Sequence, residues 1–445
     1  MPGLLACTVD HFFPQFNHWL DQLPDARFGP RVVYPTRFMA WWGICLYLFR
    51  LGSRRQLDFE LSADSRALDN LNRLAGTRLD TRPVHDTLDY FLGRNGPEGF
   101  CWLRRQMINR LVRMRAVDPA RLQGKLLVLI DGTGHLAFDK KHCDHCLVYK
   151  HKSGTRYLHQ VLEAKLLGPG ALVFSMGSAF IENADAGKSD SAEQRKQDSE
   201  LAAFDRLARD VKRDFPQAQI CVCGDSQFAC GRALLVCKNN RWSYLLAFKP
   251  GRTPALYAEF EQLLKLSPGN ELRRETAEGA VRVYNWVVGL DYVDSQGRKW
   301  KLNALRCRET VARVTTTFAW ITDLKLTQAT VEGVAQGARE RWRIENEGFN
   351  CQKNSEMRLE HVYSTGPQKL KAYYLLLQIA HTLIQLLQGG SLLRRMAAQN
   401  GKTPLRWLGS QKNVGRRLLE GLRFGDVARR PEKVGQIRLV GWDTS

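Results

Sequence analysis

The chain has 445 residues, with 66 Lys and Arg against 45 Asp and Glu, a net charge of +21 and a pI near 9.7. A cationic surplus of this size favours a polyanionic partner, because Lys and Arg displace the counterions condensed on nucleic acid. The other polyanion, a membrane surface, finds no inserting segment: the longest apolar run, residues 38–49, is too short to span a bilayer and reads as a buried helix.

Met1-Pro2-Gly3-Leu4-Leu5 lacks the charged start and apolar core of a secretory signal. The eleven cysteines are scattered, which, with no signal sequence, predicts reduced thiols in a cytosol. A hydrophobic content of 44% with 11 Trp is ample for a large core, and the length implies about two to four domains.

Residues 1–116 read as helical, with apolar residues at helical spacing over 32–51 and 100–114. Between them, Thr81-Arg82-Pro83-Val84-His85-Asp86-Thr87-Leu88 looks like a turn opening a helix, which suggests a helix-turn-helix and a DNA-binding domain over 1–120. Short apolar runs at 126–131, 159–167 and 171–180 predict strands. Residues 192–215 predict an amphipathic helix with Leu201, Phe204, Leu207, Ala208 and Val211 on one face. A strand at 220–224, a helix at 228–237 and a strand at 242–248 complete a mixed α/β layer. The pattern turns to β over 271–324, where strands at 281–293 and 299–307 flank the hairpin signal Asp294-Ser295-Gln296-Gly297. Helix resumes near Ala329, and 369–387 is a long apolar helix. From Ser391 onward twelve Lys and Arg stand against four Asp and Glu, a basic tail expected to be solvated and to add non-specific affinity for nucleic acid. The expected fold class is therefore α/β: a mixed sheet flanked by helices over 121–270 and 325–390, a helical N-terminal domain over 1–120, a β-rich insertion over 271–324 and a basic tail over 391–445.

Three acids stand out on this frame. Asp131 ends the apolar run Leu126-Leu127-Val128-Leu129-Ile130, Asp225 ends Ile220-Cys221-Val222-Cys223-Gly224, and Glu345 sits in the helical stretch Arg341-Trp342-Arg343-Ile344-Glu345-Asn346. Such sheets place ligands at the carboxyl ends of their strands. Carboxylates converging there need a cation, and hard oxygen ligands suit Mg²⁺, or Mn²⁺ in its place. Two such ions about 3.5–4 Å apart are the standard device for in-line attack on a phosphodiester. Glu345 and Glu347 are two residues apart and point about 200° away from each other on a helix. Arg341 shares the face of Glu345 and Arg343 that of Glu347, so spacing alone leaves the choice between them open.

These residues resemble the DDE transposases of bacterial insertion sequences, whose catalytic core is ribonuclease-H-like. The resemblance covers residues 126–387. It rests on the Ile130-Asp131-Gly132-Thr133 and Gly224-Asp225-Ser226-Gln227 strand ends and on Arg341-Trp342-Arg343-Ile344-Glu345-Asn346-Glu347-Gly348-Phe349-Asn350. Tyr157-Leu158-His159 with Glu163-Ala164-Lys165, and Lys196-Gln197-Asp198-Ser199-Glu200, support it, as does a β insertion before the glutamate helix, which is similar to one branch of the family. That branch carries Tyr-x2-Arg-x3-Glu-x6-Lys. Arg341 and Glu345 match its middle, while Ala338 stands at the Tyr position and Gln352 at the Lys position, with Lys353 one residue later.

The resemblance implies Asp131, Asp225 and Glu345 as a catalytic, metal-binding triad, with Glu345 chosen over Glu347 by the family's Trp-x-Ile-Glu-Asn run. It implies cleavage at the ends of an insertion sequence and strand transfer to target DNA in one site, and a homodimer synapsing two double-stranded ends. Arg341, Arg343, Lys353 and His135 are candidate DNA contacts. The competing readings are a catalytically inactive, transposase-derived DNA-binding regulator and a ribonuclease-H-type nuclease that cleaves without joining.

Further features read more plainly. Cys143 and Cys146 form a Cys-x2-Cys beside His142 and His145, but no second ligand pair lies at the usual spacing for zinc. Trp286, Trp300 and Trp320 in the β-rich block are core tryptophans, one of which could stack on a flipped base. Asp198 and Glu200 read as a solvated face or packing contacts.

Overall fold

The computed structural model describes residues 1–62, 65–152, 154–183, 198–277, 279–431 and 434–441. Among these, ten strands form one mixed sheet: β1 (Leu126–Phe138), β2 (Leu147–His151), β3 (Gly154–Leu167), β4 (Val173–Ile181), β5 (Ile220–Gly224), β6 (Ser243–Ala247), β7 (Glu271–Glu275), β8 (Val281–Val293), β9 (Lys299–Val311) and β10 (Val314–Thr322). Their order is β2-β3-β1-β5-β6-β10-β9-β8-β7, with β4 also paired to β3. β5 runs parallel to β1, and β6 to β5. β3 is antiparallel to β1, and β4 to β3.

The apolar runs are continuous because both faces of the central strands are covered. Leu127 and Leu129 of β1 pack with Cys221, Cys223, Leu245, Ile344 and Phe349 on one side. Val128 and Ile130 pack with Val222, Phe204 and Leu207 on the other. The second face is closed by the helix Glu200–Asp214, shorter than the expected 192–215, with Ser199 accepting a hydrogen bond from Ala202 N as its cap. Residues 192–197, including the quoted Lys196-Gln197, lie outside the described residues.

Two expectations are corrected. The β-rich block does not stand apart from the core: Trp320, Ile321 and Thr322 of β10 pair with Ala247, Leu246 and Leu245 of β6. A bare β6 edge would leave buried apolar strand without hydrogen-bonding partners, and β10 supplies them. The segment after Gly390 is not a loose tail either. It folds as helices Ser391–Gln399, Pro404–Leu408 and Gln411–Phe424. Leu392, Leu393, Val414, Leu418 and Leu422 are buried, and their helical spacing is the signal that the charge count masked. Asn70 fastens this segment to the N-terminal helices, donating to the carbonyls of Leu422 at 2.7 Å and Gly425 at 2.9 Å and accepting from Val427 N at 3.0 Å.

The N-terminal helices gather around one long helix, Pro367–Gly389. That helix is long and apolar enough to cross a membrane, but 94% of its apolar window is buried inside the fold. The helix Thr36–Leu48 is buried from Phe38 to Leu48, as its apolar run predicts. The turn at 81–84 opens the helix His85–Asn95, whose Leu88, Phe91 and Leu92 face inward.

Candidate active site

β1 pairs with β5 from Leu126 to Leu129, where Leu129 stands opposite Cys223. Carrying that register two residues on brings Asp131 level with Asp225. Asp131 does not end its strand, as the apolar run suggests. β1 continues to Phe138 paired with β3, and Asp131 lies opposite Glu163. What ends near Asp131 is the partnership with β5, so the acid sits at a fork in the sheet. Asp225 stands just after β5 and caps the turn Ser226–Phe228, its Oδ1 accepting from Gln227 N at 2.9 Å.

Glu345 lies on a π-helical segment, Ile344–Asn350, a distortion found often at functional sites. Ile344 and Phe349 are buried against the β1 and β5 side chains and fix its position. Arg341 bridges the acids: its Nη1 donates to Asp131 Oδ2 at 3.2 Å and to Glu345 Oε1 at 2.8 Å. The two glutamates part company here. Glu347 pairs with Arg343 at 3.1 Å and lines a different cavity, of about 670 Å³, with His381 and Gln385. Glu345 is therefore the one that faces Asp131.

A fourth acid enters from the opposite face of the sheet. Glu200 packs over Gly132, where a Cβ would come within 2.1 Å of its Oε1. It accepts a hydrogen bond from Gln227 Nε2. Of the two roles expected of Glu200, a solvated face or a packing contact, the structure shows the second. Burial raises its carboxyl above the ordinary range, and Asp225 adds to the rise. Asp131 is pushed up to about 7, first by burial, with Glu345 and Glu200 adding and Arg341 opposing. Like charges gathered out of water raise one another in this way, and such perturbation marks functional clusters.

The acids are not closed up on one another. Among the described residues, the group of His, Cys, Asp and Glu whose ligand atoms all lie within 4.8 Å is His142, Cys143, Cys146 and His159. The Arg341 guanidinium instead stands as counter-cation between Asp131 and Glu345.

Beside Asp225 and Arg341 opens a cleft of about 820 Å³ lined by Lys249, Phe318, Trp320, Arg339 and Trp342 among others. Trp342 is 56% exposed. Phe318 stacks on Trp320 at 6.0 Å, and the Arg339 guanidinium lies over the Phe318 ring at 5.0 Å. Of the three tryptophans singled out in the β-rich block, Trp320 lines this cleft. Trp286 is core, and Trp300 donates its Nε1 to Asp294 in the hairpin turn.

The expected DNA contacts divide. Arg341 stands among the acids. Arg343 faces Glu340 and Glu347, and Lys353 pairs with Glu360 at 2.8 Å. His135 is 4% exposed and packs against Phe180 and Tyr374. Burial, with His159, Lys353 and Lys371, pushes its ring down to about 3. Enclosed and neutral, it cannot serve as the phosphate contact expected of it. Gln352, at the family's Lys position, is fully buried and donates to Gln378 Oε1 at 2.9 Å. Asp198 is a packing contact, paired with Arg206 at 2.5 Å. Sequence reasoning gave neither Glu200, read as a solvated face or packing contact, nor Trp342 a place in the site. Ser199 as a helix cap was the available signal for the first, since it fixes Glu200 in the opening turn.

No protein-family model matches the chain, and a search of curated proteins gives no match.

Proposed function

We propose that the chain is a metal-dependent DNA-cutting and DNA-joining enzyme, a DDE transposase built on a ribonuclease-H-like core. The observation that carries the reading is the convergence of Asp131 and Glu345 on Arg341, with Asp225 just past the end of the parallel strand that adjoins Asp131. The order β4-β3-β1-β5-β6, with the first two pairings antiparallel and the last two parallel, supports a ribonuclease-H-like core.

The donor set fits a hard divalent cation. Asp131, Asp225 and Glu345 offer only carboxylate oxygens, and Asp131 and Glu345 already share one cationic partner in Arg341. When bound, Mg²⁺ or Mn²⁺ would supply Lewis-acid polarisation of the phosphodiester and a water activated at neutral pH. Arg341, released from its two carboxylates, would hold a phosphate oxygen with its planar guanidinium. Lys249 and Arg339 would track the backbone along the cleft, while Trp342 offers an exposed ring for an unpaired base. Glu200 would hold Gln227, and through it the turn that Asp225 caps.

The test is a strand-transfer assay with pre-nicked element ends, target plasmid and Mg²⁺ or Mn²⁺. The parent chain joins ends and Asp225→Asn does not, although it still binds them. Cleavage without joining would turn the reading toward a ribonuclease-H-type nuclease. Binding with neither step in the parent chain would turn it toward a DNA-binding regulator.

A further inference from the structure

The sequence offers Cys143 and Cys146 no second ligand pair at zinc spacing, but the fold does. β3 runs back along β1 and places His159 opposite Leu136. From there its Nε2 lies 3.5 Å from Cys143 Sγ and 3.3 Å from Cys146 Sγ, and the two sulfurs are 3.5 Å apart. His142 is the fourth member, and all four ligand atoms lie within 4.8 Å of one another. A tetrahedral zinc with Zn–S near 2.3 Å and Zn–N near 2.0–2.1 Å needs ligand atoms roughly 3.3–3.8 Å apart, so the three short separations already match its edges. Two further observations point to a ligand. Cys146 is 3% exposed and His159 2% exposed, so their polar atoms face each other away from water. The Nδ1 of His142 is likewise shut off from solvent and has no hydrogen-bond partner.

We infer that His142, Cys143, Cys146 and His159 form a structural zinc site of the Cys2His2 type. Two thiolates and two imidazoles suit zinc among the common divalent ions, and a set with four protein ligands leaves no open position for catalysis. Its place in the fold gives it a task. Phe138 stacks on His142 at 4.5 Å, and Asn183 at the exit of β4 donates through Nδ2 to the Cys146 carbonyl at 3.0 Å and through its backbone N to the His145 carbonyl at 3.2 Å. Asn183 Oδ1 in turn accepts from Asp198 N at 3.4 Å, immediately before the Ser199 cap that sets Glu200. The site therefore staples the 139–146 loop to β3 and to the entry of the helix that presents Glu200 to the acids.

The experiment uses the full chain purified in reductant without chelator. Elemental analysis should find about one zinc per chain. Cys143→Ser with Cys146→Ser should lose it, and His145→Ala, the neighbouring histidine outside the cluster, should keep it. Cobalt exchanged for zinc should show thiolate charge-transfer absorption and the intense visible bands of a tetrahedral ion. If the cysteine double variant fails to fold, the cobalt spectrum of the parent chain and the zinc content of His159→Gln decide. A folded, zinc-supplemented parent chain with no bound metal would overturn the inference, as would a Cys143–Cys146 disulfide in the chain isolated under reductant. These readouts are independent of DNA cleavage, so the site stands or falls apart from the proposed activity.

Discussion

Asp131 carries an unusual burden for a carboxyl group: it is sequestered beside Glu345 and Glu200, with Arg341 as its compensation. Its raised affinity for a proton has a defined consequence for stability. In the folded chain without metal it holds a proton up to about 7, whereas in the unfolded chain it releases one near 3.9. Its contribution to stability is thus full below the lower value and is lost as pH rises through the upper one. Asp131→Asn should remove that dependence. In the presence of chelator the variant should be more stable than the parent at pH 8, by about 1 kcal/mol or more, with the difference vanishing near pH 4. Denaturant melts at the two pH values check this, and equal stabilities at pH 8 would refute it. The glutamates give a second residue-level contrast. Glu345→Gln should abolish Mn²⁺-dependent cleavage and leave the unfolding midpoint and DNA affinity unchanged. Glu347→Gln, which touches Arg343 outside the acid cluster, should keep most of it. The opposite ranking in a nicking assay would reassign the site.

At the scale of elements, the cleft wall between β10 and the glutamate segment combines cationic and aromatic side chains. Trp342 is half exposed and packs on little, so Trp342→Ala should leave thermal stability unchanged. It should weaken binding to single-stranded or frayed ends by roughly 1–3 kcal/mol, measurable by fluorescence anisotropy. An unchanged affinity would remove the ring from the interface.

How much of this wall and its acids could be read beforehand depended on whether the signal was local. β8 was legible to the residue, because alternating Val, Tyr and Trp ends at a four-residue turn. Asp131 and Asp225 stood out as candidates because each closes a strongly apolar run, whereas Glu345 was singled out over Glu347 only by the resemblance of its surroundings to a Trp-x-Ile-Glu-Asn run. β2 was missed, since Leu147–His151 mixes apolar and basic residues beside a loop. Glu200 was not placed beside the acids because its partner Gly132 is 68 positions away and leaves no trace in helical periodicity. His159 was missed as a partner of Cys143 for the same reason: only the antiparallel return of β3 makes them neighbours. The π-helical turn at Glu345 was read as ordinary helix, on which Ile344 and Phe349, five residues apart, would stand about 140° from each other; the wider i→i+5 turn is what lets both face one buried cluster.

Across the whole molecule, charge and packing make separate demands on the same C-terminal helices. Removing everything after Gly390 would strip Asn70 of three hydrogen-bond partners and uncover the core around Leu393, Val414 and Leu418. At about 1.5–3 kcal/mol for each large apolar side chain uncovered, the truncated chain should lose cooperative unfolding altogether and not merely some affinity for DNA. Arg406→Ala with Arg416→Ala, both on the exposed side, should instead keep the fold and flatten the salt dependence of binding for specific and random DNA alike. A truncated chain that still melts in one sharp transition would show that the segment is dispensable.

The fork at Asp131 has a consequence of another kind. Val128 and Leu129 of β1 are held by β3 on one side and β5 on the other, while among the described residues the stretch from Gly132 to Phe138 pairs with β3 alone. One strand therefore contains two grades of backbone protection, with the change of grade at the candidate catalytic acid. Amide hydrogens of Val128 and Leu129 should exchange only with global unfolding, and those beyond Gly132 through local opening. Occupation of the site by metal and DNA should slow the second group and leave the first untouched, so the strand would report on its own site without any label attached.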